Sequence, residues 1–190
     1  MPSSAKTVNV GSLSFRAAPL LTDEESQELF EANLQLAGLL PIRIEITHNG
    51  GAPINLAKIK LHLHGSTGEE WQSLPIKKAI ARILAANQVY AYNPTARRTF
   101  EQEFSAYELN LKAPLTKAES RRTGFVFFLS PRKEVVASPH GLALDVQGLS
   151  QPISIPLNWR RAVRLSPCCS HNLLCTSASG IYYKSEEIQK

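Results

Sequence analysis

Five histidines and three cysteines in a chain of 190 residues are the side chains best suited to chemistry, and their spacing decides what they can do. His62 and His64 stand two apart in an alternating stretch, so on a strand both point to one face with Cα atoms about 6.6 Å apart. Two imidazoles so placed could share a metal ion; the plainer reading is a pair of solvent-facing strand histidines. His48 falls at the turn of the hairpin expected here, roughly 20 Å from them by the strand rise, and cannot join them. Cys168, Cys169 and Cys175 enclose His171, and zinc accepts three thiolates and an imidazole. Their spacing departs from paired knuckles, in which ligands about two to four residues apart are followed by a second such pair. Adjacent cysteines also aim poorly at one ion, so the expectation is no metal and no cofactor. An odd cysteine count closes no disulfide framework, although Cys175 could bridge to Cys168 or Cys169 in an oxidising compartment.

Catalytic motifs are missing. There is no Gly-x-Ser-x-Gly elbow, Gly-rich phosphate loop or His-Glu-x-x-His pair. Asp23 and Asp145 are the only aspartates, and Asp23 belongs to a helix start. Glu69 and Glu70, or Glu101 and Glu103, could serve acid/base chemistry only if the fold set a distant carboxylate beside them. The run from Arg121 to Phe128 overlaps half of an RNA-recognition signature, but Arg122 replaces its glycine and Thr123 its stacking aromatic. Core packing explains these phenylalanines better. What remains is a binding surface. Trp71, Tyr90 and Tyr92 with Arg97 and Arg98 are the residue types that dominate interface hot spots, the alternative being aromatics buried in the core.

The elements that position these residues are mostly strands. Ile42, Ile44 and Ile46 alternate with Arg43, Glu45 and Thr47, and Ile59, Leu61 and Leu63 alternate with Lys60, His62 and His64. With His48-Asn49-Gly50-Gly51 between them, the two stretches predict a hairpin, with a bulge near Ala57 or Lys58 to restore parity. Leu13 and Phe15 predict an edge strand. Thr22-Asp23-Glu24-Glu25 is a capping box opening a helix over 23–37, with Gly38 as its stop. Pro75 opens a second helix over 75–87, whose Ile76, Ala79, Ile80, Ile83 and Leu84 share a face. Residues 89–102 read as an irregular connection. Strands follow around Tyr107, Leu109 and Leu111, at Gly124 to Leu129 with burial on both faces, around Leu142, Leu144 and Val146, and around Ile153 and Ile155, where Pro152 and Pro156 argue for an edge.

About seven strands and two helices predict a mainly β chain, an immunoglobulin-like antiparallel β-sandwich with the helices as insertions or caps. The alternative is an α+β ferredoxin-like order over residues 11–112. Residues 1–10 read as a flexible lead-in, 11–160 as one domain and 161–190 as a partly ordered tail. Hydrophobic residues make up 43% and charged residues 19% of the chain, enough to fill a core and too little charge for disorder. The net charge of +5 is spread over separate pairs and triplets, so a nucleic-acid-binding face would have to be assembled by folding. No apolar run reaches the roughly 18 residues of a membrane span, and peripheral contact through the second helix is a lesser reading. No secretory signal is visible at the start.

Gly38-Leu39-Leu40-Pro41, Ile42-Arg43-Ile44-Glu45-Ile46 with Asn49, and Arg122-Thr123-Gly124-Phe125-Val126-Phe127-Phe128 resemble segments of poorly characterised bacterial envelope proteins with an immunoglobulin-like sandwich. The resemblance spans residues 22–130 and implies a sandwich in an envelope setting. It brings no catalytic residues. The periplasmic side is then the expected location if a signal has been removed, and the cytoplasm otherwise. The functional expectation is a non-catalytic binding or assembly module with a protein partner. Nucleic-acid binding, or an enzyme with a glutamate/histidine site, are its alternatives.

Overall fold

Alternation along residues 42–47 does produce a strand. It is β3 (Leu39–His48), with Ile42, Ile44 and Ile46 buried. The computed structural model, which describes residues 5–87, 94–137 and 139–157, gives that strand other neighbours than the expected hairpin. β3 pairs antiparallel with β2 (Leu13–Pro19) and β6 (Arg121–Leu129). The stretch carrying Leu61 and Leu63 forms β4 (Lys60–His64), which lies between β5 (Glu70–Leu74) and β7 (Ala143–Gln147). The hairpin is overruled by its connection. The His48 ring holds the chain back on itself, with Nε2 2.7 Å from the Ala52 carbonyl and Nδ1 accepting the Gly50 N–H. Ile54 then exchanges two backbone hydrogen bonds of 2.9 Å with Leu115, so the chain crosses to another part of the sheet. The parity shift before Ile59 comes from a turn, in which Ile59 N–H donates to the Leu56 carbonyl at 2.9 Å, and not from a bulge.

Adding β1 (Lys6–Val10) and β8 (Ile153–Pro156), the eight strands among the described residues follow one order, β1-β2-β3-β6-β5-β4-β7-β8. Every ladder is antiparallel. The two edge strands, β1 and β8, approach within 8 Å between Cα atoms, so the sheet is nearly closed and barrel-like. The mainly β expectation therefore holds, while the hydrogen bonding runs through one sheet and not the two facing sheets of a sandwich. The ferredoxin-like alternative fails, because a β-α-β order joins parallel strands and here the first helix joins the antiparallel neighbours β2 and β3. The expected flexible lead-in is corrected too, since residues 6–10 form β1.

Three helices lie among the described residues. α1 (Asp23–Phe30) opens on the predicted capping box of Thr22 and Glu25 but stops well before residue 37, because Glu31 turns left-handed at φ 54°. The chain then folds back: the Ser26 hydroxyl donates to Gln35 Oε1 at 2.6 Å, and Gln35 Nε2 donates to the Thr22 carbonyl at 3.0 Å. α2 (Ile76–Ala86) matches its expectation, with Ile76, Ala79, Ile80 and Ile83 buried. α3 (Pro94–Ala106) occupies what read as an irregular connection and includes Phe104, expected on a strand.

Two cores result, and β6 serves both. Its inward Phe128 packs with Phe15, Ile42, Ile44, Leu63 and Leu144 inside the barrel. Its outward Phe125, Phe127 and Leu129 meet Phe30 of α1, Ile80 of α2 and Phe104 of α3. Ring centroids of Phe30 and Phe125, and of Phe104 and Phe127, are both 5.1 Å apart. Burying a side chain such as Phe104 stabilises by about 2–3 kcal/mol. The wholly apolar run 125–129 is what burial on both faces demands.

Candidate binding site

The sheet splits beside β4. β5 pairs with β4 only through Leu63↔Trp71 and His64↔Glu70, then crosses to β6 through Gln72, Ser73 and Leu74. Pro75, which has no N–H to continue a ladder, starts the turn into α2. Below it the edge of β6 is taken by the segment after α3: Leu109 N–H donates to the Phe125 carbonyl at 3.0 Å, and Phe125 N–H to the Tyr107 carbonyl at 2.7 Å. Gly124 permits this crossing, because a Cβ there would stand 2.5 Å from the Leu109 Cα.

Among the described residues, Lys60, Leu61 and His62 are thus left without a strand on that side. Gly65 N–H donates across to the Glu69 carbonyl, and backbone direction alternates along an antiparallel strand. Leu63 and Leu61 therefore send their N–H and C=O the same way, Leu63 to Trp71 and Leu61 into the gap. The gap is a cleft of about 430 Å³, lined by Leu61, His62, Ser73, Glu108, Leu111 and Val126 among others. Leu61, Leu111 and Val126 are only half-buried, unlike the rest of the inward-facing strand residues near them. A glycine inside a strand pattern marks close backbone approach, so Gly124 was the available signal for this site; nothing in the sequence pointed to Glu108 or Ser73.

His62 and His64 share the face of β4 opposite Leu63, as their spacing required, though both are half-buried. Each is matched to a carboxylate on a neighbouring strand. His62 Nδ1 lies 3.5 Å from Glu70 Oε1, and His64 Nε2 lies 3.3 Å from Asp145 Oδ2. Among the described residues, no three His, Cys, Asp or Glu side chains are grouped to hold a metal ion. His62 Nε2 is buried without a hydrogen-bond partner, so the Ser73 hydroxyl in the same cleft is not bonded to it.

Of the predicted binding residues the structure describes Trp71, Arg97 and Arg98, and it sets Trp71 apart from the two arginines. Trp71 is 7% exposed and belongs to the barrel core. Arg97 and Arg98 are exposed on α3, whose packing face belongs to the outer core, and Arg97 is tied to Glu101 at 2.7 Å. Tyr90 and Tyr92 fall outside the described residues, as do Cys168, Cys169, His171 and Cys175. Several other arginines serve the fold. Arg82 Nε donates to the Ala37 carbonyl at 3.1 Å, Arg121 pairs with Glu45 at 2.8 Å, and Arg122 is buried. No helix among the described residues is long and apolar enough to cross a membrane.

Fold and cleft together define a mainly β protein with a nearly closed antiparallel sheet and a break in its wall. No family model matches the sequence, and no curated protein matches it. Among solved structures the chain is similar to a DUF4426 family protein from Pseudomonas aeruginosa PAO1, with 6% identity and a TM-score of 0.32 over 82% of this chain and 94% of that one.

Proposed function

We propose that the protein is a non-catalytic binding module that takes an extended peptide segment of a partner protein into the split beside β4. The observation that supports this is the backbone of Leu61, directed into a cleft where β5 has already left for β6. A strand laid there would gain main-chain hydrogen bonds from Leu61 and cover the half-buried Leu61, Leu111 and Val126, the division of labour seen in strand addition. The His62–Glu70 pair resembles an orienting dyad, yet among the described residues no nucleophile stands within hydrogen-bond reach of it. The envelope setting belongs to this reading through the resemblance at residues 38–46 and 122–128.

Selection of displayed random peptides on the full chain tests it. Wild type should retain peptides with alternating apolar residues, and Leu61→Lys and Leu111→Lys, checked for an unchanged Tm, should lose them. If no retained peptide distinguishes wild type from either variant, the reading fails. Oligonucleotide retention that falls steeply with salt would favour the nucleic-acid alternative instead.

A further inference from the structure

Ser73 breaks the pattern of the strand it belongs to. Its partner across the β5–β6 ladder is Phe128, which is fully buried in the barrel interior, and residues directly opposite in an antiparallel pair share a face of the sheet. Trp71, two residues earlier on β5, obeys that rule and packs in the barrel core. Ser73 has the same parity and is nonetheless exposed. Solvent therefore reaches the inner side of the wall at Ser73, which lines the cleft together with the half-buried Leu61.

The main chain of Ser73 faces the same cleft. On β6, Phe125 turns its N–H and C=O toward the edge where Tyr107 and Leu109 bond to it, while Ser130, of opposite parity, donates to the Gly38 carbonyl on the β3 side. Alternation along the strand then sends Phe127 and Leu129 toward β5 and Phe128 away from it. Leu74 and Gln72 are their partners, so those two residues face β6, and Trp71 and Ser73 turn their N–H and C=O toward β4. Trp71 meets Leu63 there. Continuing that register would set Ser73 opposite Leu61, and no ladder joins the two. Opposed walls of the cleft thus present main-chain donors and acceptors at one level. A strand residue fills roughly 160 Å³ at the usual rise, strand spacing and layer spacing, so a cleft of about 430 Å³ has room for about two or three residues.

We propose that the partner's peptide enters this cleft as an inserted strand, hydrogen-bonded to Leu61 on one side and to Ser73 on the other, and that Ser73 keeps the slot open for it. The inference rests on the peptide-binding reading above and deepens it. A strand added to a single edge uses the N–H of every second residue, whereas one held between two walls uses those of neighbouring residues, because successive residues face opposite sides. Ser73 acts through its size. A larger apolar side chain at this inward position would fill the space between Phe128 and Leu61 and close the wall, as Trp71 does one pair above.

Amide exchange on the full chain reads both walls at once. In the free protein the Leu61 and Ser73 amides should exchange about tenfold faster, or more, than those of Leu63 and Leu74, which are paired in the ladders. A Ser73 amide as slow as that of Leu74 overturns the proposal before any peptide is added. The probe is then a heptapeptide alternating valine with threonine, acetylated and amidated at its ends. At saturation both amides should slow by about tenfold or more. Slowing at Leu61 alone would mean addition to one edge, which overturns the insertion and leaves the peptide-binding reading in place. Slowing at neither would sink both. Ser73→Val should raise Tm and abolish the slowing at Leu61, while Ser73→Ala should keep it; undiminished slowing in the valine variant overturns the role given to Ser73.

Discussion

The Arg122 guanidinium lies 2.7 Å from the Glu119 carboxylate, and the same group reaches the backbone carbonyls of Asn110, Ala113 and Pro114. Arg122 is 7% exposed, so a buried charge gathers three carbonyls of a loop whose own hydrogen bonds are few, among them Thr116 N–H to the Glu119 carbonyl at 3.2 Å. One side chain thus ties down three points of the loop that flanks the binding cleft, beside the Ile54–Leu115 bridge.

Arg122→Met should therefore lower stability by about 2–3 kcal/mol, the cost of several carbonyls losing a charged donor. Arg122→Lys should recover only part of this, because an ammonium cannot fork to several acceptors in one plane. Urea unfolding checks both; a loss below about 0.5 kcal/mol for the methionine variant would mean the loop holds itself.

Gly124→Ala tests the crossing that opens the split. The added Cβ would meet the Leu109 Cα at 2.5 Å and its N at 2.7 Å, and neither atom can swing aside as a side-chain tip would. A loss of about 1–3 kcal/mol is expected from overpacking. Amide exchange at Leu109 and Phe125 should quicken more than elsewhere in the sheet, since the bonds from Leu109 N–H to the Phe125 carbonyl and from Phe125 N–H to the Tyr107 carbonyl must lengthen first. Uniform exchange rates would place the strain elsewhere.

Thr67→Val should raise the Glu69 pKa toward 4.5, because the Thr67 hydroxyl is the largest cause of its lowering. The sign follows from linkage: a carboxyl whose folded pKa is depressed contributes stability above its unfolded pKa and loses it as pH falls through the folded value. Wild type should thus shed this contribution as pH drops below about 4.5, and the valine variant should show less of that acid dependence. Carboxyl carbon NMR titration of Glu69 reads the shift directly, and identical curves would refute the assignment.

Side-chain periodicity carried the facing of most strands and little of their pairing. Ile42, Ile44 and Ile46 had to be buried together, and Phe125 to Leu129 had to be covered on both sides, whatever lay beside them. Which strand sits next to β3 depends on where the intervening connection is held, and the His48 ring and the Ile54–Leu115 bridge are contacts that alternation does not encode. α3 was hidden because Pro94 and the charged turns after it mask Phe100, Phe104 and Tyr107, whose spacing fits one helical face. Trp71 was singled out for its residue type, but Leu61 looked like ordinary core. An edge without a neighbour is a property of the assembled sheet, visible only once β5 is seen to leave.

Because β6 is a wall common to two rooms, neither can be emptied alone. Heating should dismantle the barrel interior and the helical layer in one step, with no stage in which either outlives the other. A ligand that tightens the wall from one side would accordingly be felt as added rigidity on the far side, among the rings of Phe30, Phe104 and Phe127.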